Sequence, residues 1–212
     1  MGEETGMTDQ ITEADRAVLG GLARDRMLVI DVGTFTGASA EAMLLAMPEA
    51  GRLITIDLFQ EPAAMIESGF GPPEVWSGSR MFKVAQARLA SFGERATIIC
   101  GRSPGVAALL ASEIADLVFI DAAHDYDSVV ADIQAWSRVV RPGGLIAGHD
   151  FDKPVLGMAE EQVRGTMHLE IDSKTNVHTG VAAAVVGCFR KINLAENEST
   201  VWWAPREWLK TA

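Results

Sequence analysis

The stretch MLVIDVGTFTGASAEAMLLAM, residues 27–47, changes its period half-way along. Leu28, Val29, Ile30 and Val32 form an apolar run of strand length, whereas Met43, Leu44 and Met47 fall at helical spacing and the pattern stops before Pro48. Between the two lies a turn carrying Gly33 and Gly37. A strand that passes through a tight glycine turn into a helix is the opening half of a βαβ unit, from which parallel sheets are built.

The alternation continues on both sides. Upstream, TEADRAVLGGLA has Thr12 and Asp15 as a capping pair and Val18, Leu19 and Leu22 on one face, so a helix leads the chain within residues 1–26. Downstream, RLITID is a second strand, followed by a helix over MFKVAQARLASFG with Phe82, Ala85, Leu89 and Phe92 inward and Gly93 at its C-terminal cap. ATIIC, ADLVFID and GLIAGHD supply three more strands. Val129, Val130, Ile133, Trp136, Val139 and Val140 make one apolar helical face, closed by RPGG. The sum is an α/β fold with a mostly parallel sheet and helices on both faces, in one domain over residues 1–212. Residues 60–75, rich in glycine and proline, and residues 151–179, polar and mixed, resist this pattern. Loops of that length in a compact domain are usually functional covers or disordered, and these two are read as the substrate side.

Composition narrows the partners. With 212 residues and 48% hydrophobic content, the chain can bury one good core. A net charge of −11, without a Lys/Arg cluster to reverse it locally, repels phosphate backbones and anionic lipid, which argues against nucleic acid and membrane partners. Cys100 and Cys188 stand outside any CxxC spacing, so neither a disulfide framework nor a thiolate zinc site is expected, and a reducing, cytoplasmic compartment fits. No apolar run approaches membrane-spanning length, and residues 1–10 are acidic and polar, unlike a signal peptide. The expected partner is a small molecule; a homo-oligomer stays open.

Parallel sheets of this kind bind ligands beyond the carboxyl ends of their strands. After the first strand comes DVGTFTG, where Gly33 and Gly37 lead into a helix whose positive end suits an anionic group. A dinucleotide fingerprint needs glycine two positions after Gly33, and Phe35 stands there. The second strand ends in Asp57, placed to accept hydrogen bonds from a ribose diol, with Leu58 and Phe59 able to cover an adenine. Gly101 and Ser103, after the third, offer small and hydrogen-bonding groups at the adenine's edge. The fourth strand ends in FIDAAHD, which sets Asp121, His124 and Asp125 where an apolar strand leaves the core, and the fifth ends in GHD, with His149 and Asp150.

VIDVGTFTG, LITID and LVFIDAAHDYDSVVADIQAWSRVVRPGGLIAGHDF resemble class I S-adenosylmethionine-dependent methyltransferases. Within them the likeness is to small-molecule O-methyltransferases of the catechol and caffeoyl-CoA type and to the bacterial cephalosporin-hydroxylase-like branch. It covers residues 27–151 well and the rest loosely, where TGVAAAVVGCF is similar to the family's late helix. The resemblance implies a Rossmann-like, seven-stranded sheet with an antiparallel C-terminal strand, for which KINLAEN and STVWWAP would supply a closing hairpin. It implies S-adenosyl-L-methionine as cofactor, with Asp31, Gly33, Thr34, Phe35, Thr36 and Gly37 against its methionine part, Asp57 holding the ribose and Ser103 near the adenine; Leu58, Gly101 and Asp121 complete the expected cofactor contacts. In the metal-dependent members the aspartate matched by Asp121 binds a divalent cation such as Mg²⁺, and a lysine three residues later is the base; His124 stands in that place. Asp150 matches a second ligand, but Phe151 replaces the asparagine that follows it there, leaving His149 and Asp152 to complete the set.

Methyl transfer needs a hydroxyl aligned with the sulfonium and relieved of its proton, which a cation on Asp121 and Asp150 or the imidazole of His124 could serve. Two other readings stand beside it: a protein that keeps the nucleoside pocket without chemistry, and a nicotinamide-dependent oxidoreductase, which Phe35 disfavours. More ordinary readings take Val201, Trp202 and Trp203 as strand packing, the MAEEQ run as a solvated helix face and His178 as a helix-start residue.

Overall fold

The computed structural model describes residues 10–60, 77–196 and 198–210. The segment expected to line the substrate side at residues 60–75 therefore lies, apart from residue 60, outside the described residues. Helix α1 (Glu13–Ala23) is capped as its sequence predicts: Thr12 Oγ1 accepts from Asp15 N, and the Asp15 carboxylate accepts from Thr12 N in return. Then follow β1 (Leu28–Val32), α2 (Ala38–Ala46), β2 (Arg52–Asp57), α3 (Gly78–Leu89), β3 (Ala96–Cys100), α4 (Ser103–Leu109), β4 (Ala115–Ile120), α5 (Tyr126–Ser137), β5 (Val140–Gly148), α6 (Glu160–Thr166), α7 (Thr179–Cys188), β6 (Asn193–Leu194) and β7 (Trp202–Pro205).

The strands form one seven-stranded sheet in the order β3-β2-β1-β4-β5-β7-β6. β1 to β5 are mutually parallel, and β7 runs antiparallel to both β5 and β6, so the closing hairpin is present. Apolar runs such as LVFI arise because both faces of a central parallel strand are covered. Along β4, Val118 and Ile120 join a core with α5 and α7, whereas Leu117 and Phe119 join a second core with α1 and α2. Trp202 is buried against Phe189, ring centroids 5.6 Å apart, as strand packing requires.

The structure corrects three details. RPGG does not close α5, which ends at Ser137; it lies inside β5, where Arg141 bonds the Asp116 carboxylate and Gly143 takes a positive φ of 75°. Val139 and Val140 are buried beyond the helix rather than on its face. Phe82 is half-buried, its ring edge-on to Phe59 at 5.0 Å, while Met81 takes the inward position with Ala85 and Leu89. The unpatterned residues 151–179 contain α6 and an isolated bridge between Asp172 and Val177.

Candidate active site

The registers Val32↔Ile56, Val32↔Ile120, Asp57↔Cys100 and Ile120↔Gly148 align the carboxyl ends of five strands. Every site residue expected from the sequence lies at or just beyond one of those ends. The β1–α2 turn is tight: Phe35 (φ 46°) and Gly37 (φ 81°) are left-handed, and Gly33 combines a φ of 104° with a close approach. A Cβ at position 33 would lie 1.8 Å from the carbonyl oxygen of Asp121, so glycine lets the ends of β1 and β4 meet. The turn is not a nest of free donors. Gly33 N and Thr34 N bond Ile56 O, Gly37 N bonds Thr34 O, and Phe35 N donates to Asp57 Oδ2 at 2.8 Å. An anionic ligand group would instead meet the start of α2, whose first N–H groups lack intrahelical acceptors.

Beneath the turn, the buried Asp31 carboxyl accepts from Ser39 Oγ at 3.0 Å and Thr55 Oγ1 at 2.6 Å, and Thr34 Oγ1 lies 2.6 Å from that same Thr55 oxygen. Burial pushes the Asp31 carboxyl up to about 7 against those hydrogen bonds, with the negative charges of Asp121 and Asp57 adding to the rise. Asp57 clamps two loops, its other oxygen accepting from Phe59 N at 2.7 Å. Each oxygen keeps a lone pair for a ligand hydroxyl. Leu58 is half-buried next to it, and Gly101 N donates to Asp57 O. Thr36 is buried within the turn. Ser103 begins α4, where its hydroxyl lies 2.5 Å from Asp132 Oδ1 and accepts from Trp136 Nε1 at 2.7 Å, so it is engaged with α5.

The ends of β4 and β5 carry an acid–imidazole cluster. His124 Nε2 lies 3.1 Å from Asp150 Oδ2 and 3.9 Å from Asp121 Oδ1; its Nδ1 lies 3.1 Å from Glu170 Oε2, which also accepts from the His124 backbone N–H. His149 Nδ1 is 3.1 Å from Asp150 Oδ1 and 3.9 Å from Asp121 Oδ1, with Nε2 3.3 Å from Asp15 Oδ2. His178, the N-cap of α7, has Nδ1 3.0 Å from Asp152 Oδ2 and 3.7 Å from Asp150 Oδ1, and its ring centroid is 4.8 Å from that of His124. Three of the chain's four histidines thus converge on Asp150. Adjacent strand residues ordinarily point to opposite faces. Here a left-handed Asp150 (φ 56°) breaks the alternation, bringing its carboxylate back to the His149 ring while Phe151 enters the core.

Burial disfavours the charged rings, yet the carboxylates prevail. Asp121, Asp150 and Glu170 hold His124 well above its ordinary value, and Asp121, Asp15 and Asp150 push His149 up to about 11. Asp150 is correspondingly held well below the carboxylate range by hydrogen bonds from the two rings, in spite of its burial. An imidazole titrating near neutrality at position 124, expected from the sequence, is therefore replaced by one that stays charged there, because three carboxylates surround it. Asp15 reads as a cap and is one, but the same carboxylate reaches His149. Glu170 falls in a patternless stretch, and His178 reads as a helix start; no spacing signal links either to Asp150, which precedes both in the chain by two dozen residues or so.

A sequence model of the family described as "Methyltransferase domain" matches residues 30–151. The chain belongs to that family. Among curated relatives, this methyltransferase-domain chain is 35% identical over 148 residues, 66% of its own length and 56% of the relative's, to a Mycobacterium sp. (strain JLS) protein named "Putative O-methyltransferase". It is 31% identical over 120 residues, 56% of its own length and 39% of the relative's, to the mouse catechol O-methyltransferase domain-containing protein 1. The chain spans about half the length of the curated relatives it matches. Among solved structures it resembles an O-methyltransferase from Bacillus cereus in complex with SAH, with a TM-score of 0.63 and 14% identity over 93% of this chain and 82% of that one. The O-methyltransferase TomG from Streptomyces achromogenes in complex with SAM aligns with a TM-score of 0.60 and 19% identity over 96% and 89%. At those identities the likeness is one of fold.

The matched segment of this methyltransferase-domain protein holds Asp31, Asp57, Asp121, His124, His149 and Asp150, whereas Asp15, Glu170 and His178 lie outside it. The donor set bears on the cation. Mg²⁺ takes hard oxygen ligands in near-octahedral array. Asp121 and Asp150 offer carboxylate oxygens, but Phe151 is buried in the core, Asp152 is bonded to the His178 ring and backbone N–H, and the groups nearest Asp150 are imidazoles. That set does not fit an oxygen-ligated magnesium ion.

Proposed function

We propose that this chain binds S-adenosyl-L-methionine across the strand ends of β1, β2 and β3 and transfers its methyl group to a hydroxyl oxygen of a small molecule. The observation that carries the reading is the pairing, in a methyltransferase-family sheet, of a strand-end acid in the ribose position, Asp57, with an acid–imidazole cluster two strands away at Asp121 and His124. The O-methyltransferase names of the relatives support the hydroxyl as acceptor.

The cofactor supplies an activated methyl group, so the protein has to align and deprotonate. The S–CH₃ bond breaks as the C–O bond forms, and the hydroxyl proton must leave. His124, held charged by the carboxylates its two ring nitrogens face, positions Asp121 and Asp150 at the strand ends, and the Asp121 carboxylate receives the proton as transfer proceeds. A carboxylate is a weak base, which favours acidic hydroxyls such as phenols. Residues 151–179 beside the cluster form one wall for the acceptor.

Calorimetry with S-adenosylhomocysteine and NAD, followed by a panel of phenolic and aliphatic acceptors, tests the reading. Heat with S-adenosylhomocysteine alone and turnover on a hydroxyl acceptor are expected; no heat with it overturns the proposal, and binding without turnover leaves a binding protein. Asp121→Ala should abolish turnover with a small loss of cofactor affinity.

A further inference from the structure

We propose that Glu170 is a positioning residue for methyl transfer: it holds the His124 ring from behind, so that the opposite edge of the ring fixes the Asp150 and Asp121 carboxylates at the ends of β5 and β4. The assignment rests on the methyl-transfer reading of this site and adds to it a residue from outside the segment that matches the family. A single carboxylate oxygen makes the hold. Glu170 Oε2 accepts from the His124 backbone N–H at 3.0 Å and lies 3.1 Å from the ring's Nδ1, while Nε2 lies 3.1 Å from Asp150 Oδ2 and 3.9 Å from Asp121 Oδ1. A carboxylate oxygen can only accept, so the two ring contacts are both hydrogen bonds when each ring nitrogen carries a proton. The ring is then fixed at both edges and its backbone at a third point, with the His178 ring beside it, centroids 4.8 Å apart.

The segment that presents Glu170, 46 residues further along the chain than His124, is itself braced. Asp172 N donates to Val177 O at 3.0 Å and Asn176 N to Asp172 O at 2.7 Å, and the Asp172 carboxylate accepts from Lys174 N at 3.1 Å and Thr175 Oγ1 at 2.6 Å. Those bonds close residues 172–177 into a turn. Before the turn stands Glu170, preceded by Met167, whose carbonyl accepts from Tyr126 N at 2.9 Å. After it stands His178, whose backbone N–H donates to Asp152 Oδ2 at 2.6 Å. Glu170 is thus delivered by a turn whose two sides are bonded to the loops after β4 and β5. Without its carboxylate the His124 ring loses the acceptor at Nδ1 and can rotate, and Asp150 and Asp121 lose the fixed donor that stands beside both. A catalytic base displaced by about 1 Å can lose ~100-fold in rate. The cofactor contacts proposed at β1, β2 and β3 are left in place, so the loss falls on kcat.

The test compares Glu170→Ala and Glu170→Gln with the parent in the full chain. The Glu170 side chain is 44% exposed, so truncating it opens no cavity in the core, and thermal melts check that both variants fold. Glutamine keeps a carbonyl oxygen that can accept from both N–H groups, whereas alanine keeps none. With the phenol turned over fastest in the acceptor panel, Glu170→Ala should lower kcat by about 10- to 100-fold and leave the KM for S-adenosylmethionine unchanged, and Glu170→Gln should restore most of that loss. Nitrogen-edited proton spectra read the ring without any acceptor: the His124 Nδ1–H should be protected from exchange with water in the parent, lost in Glu170→Ala and recovered in Glu170→Gln. An unchanged kcat in Glu170→Ala, a loss that appears in KM instead, an Nδ1–H that survives the alanine, or a glutamine variant that keeps the ring proton but not the rate would each overturn the proposal. A parent that binds no S-adenosylhomocysteine overturns the methyl-transfer reading instead, and the ring signals separate that outcome from a failure of Glu170 to hold His124.

Discussion

Asp57 and Asp31 sit on adjacent strands and accept from different kinds of donor. Asp57 holds two backbone N–H groups, of Phe35 and Phe59, and through them the β1–α2 turn and the segment after β2. Replacing it with alanine removes the ribose acceptor and leaves both donors without their partner, at about 1–3 kcal/mol for each if they stay buried. Asp57→Ala should therefore weaken S-adenosylhomocysteine binding at least tenfold in calorimetry and lower the melting temperature; unchanged affinity would remove Asp57 from the cofactor site. Asp31 accepts from the hydroxyls of Ser39 and Thr55, and its carboxyl is pushed up to about 7. Its unfolded value is near 4, so between about pH 4 and pH 7 the folded chain keeps a proton that the unfolded chain has lost, and stability falls as pH rises through that window. An asparagine in its place would carry no such dependence, and the hydroxyls of Ser39 and Thr55 can accept from an amide as well as donate. The stability of Asp31→Asn relative to the parent should rise between pH 5 and pH 7, by on the order of 2 kcal/mol, and level off above. Denaturant titrations at pH 5, 6, 7 and 8 measure the gap; a gap that does not change with pH refutes the burial argument.

Elements differ in how plainly their sequences announce them. β1, β2 and β4 are short, apolar and covered on both faces, so a periodicity reading finds them together with the acids that terminate them. The two-residue β6 offers no period at all, α4 is only seven residues long, and RPGG has the composition of a turn although Arg141, bonded to Asp116, draws it into β5. For the site the division is similar. Asp57, Asp121 and Asp150 lie at strand ends and are visible, whereas Glu170 and His178 reach the cluster only through the packing of α7. That packing depends on Gly180, where a Cβ would lie 2.3 Å from His124 O and 2.6 Å from Met167 O. The Tyr126 N–H bond to Met167 O ties two of these three segments together. Gly180→Ala should therefore force α7 away from the loop at 124–126, costing about 1–3 kcal/mol as an overpacked contact does, and shift the His178 ring signal in NMR spectra. An alanine variant as stable as the parent, with that resonance unmoved, would show that α7 can give way without disturbing the cluster.

At the scale of the whole molecule, the chain's net charge of −11 and the carboxylates gathered at one sheet edge act on any ligand before it makes contact. No helix among the described residues is long and apolar enough to cross a membrane. S-adenosylmethionine carries one more positive charge, on sulfur, than the homocysteine product, while the two share every other group. The proposed site places that charge beside Asp121, close to Asp31 and Asp150, where attraction to the substrate form exceeds attraction to the product and favours exchange after each turnover. Salt separates this effect from shape. The screening length shrinks from about 30 Å at 10 mM to about 8 Å at 150 mM ionic strength, so affinity for the methylated cofactor should fall more steeply over that range than affinity for the demethylated one. Parallel calorimetric titrations of both nucleosides against salt measure the two slopes. Equal slopes would mean that the sulfonium lies away from the acidic edge, and with it that Asp121 and His124 do not stand next to the methyl group.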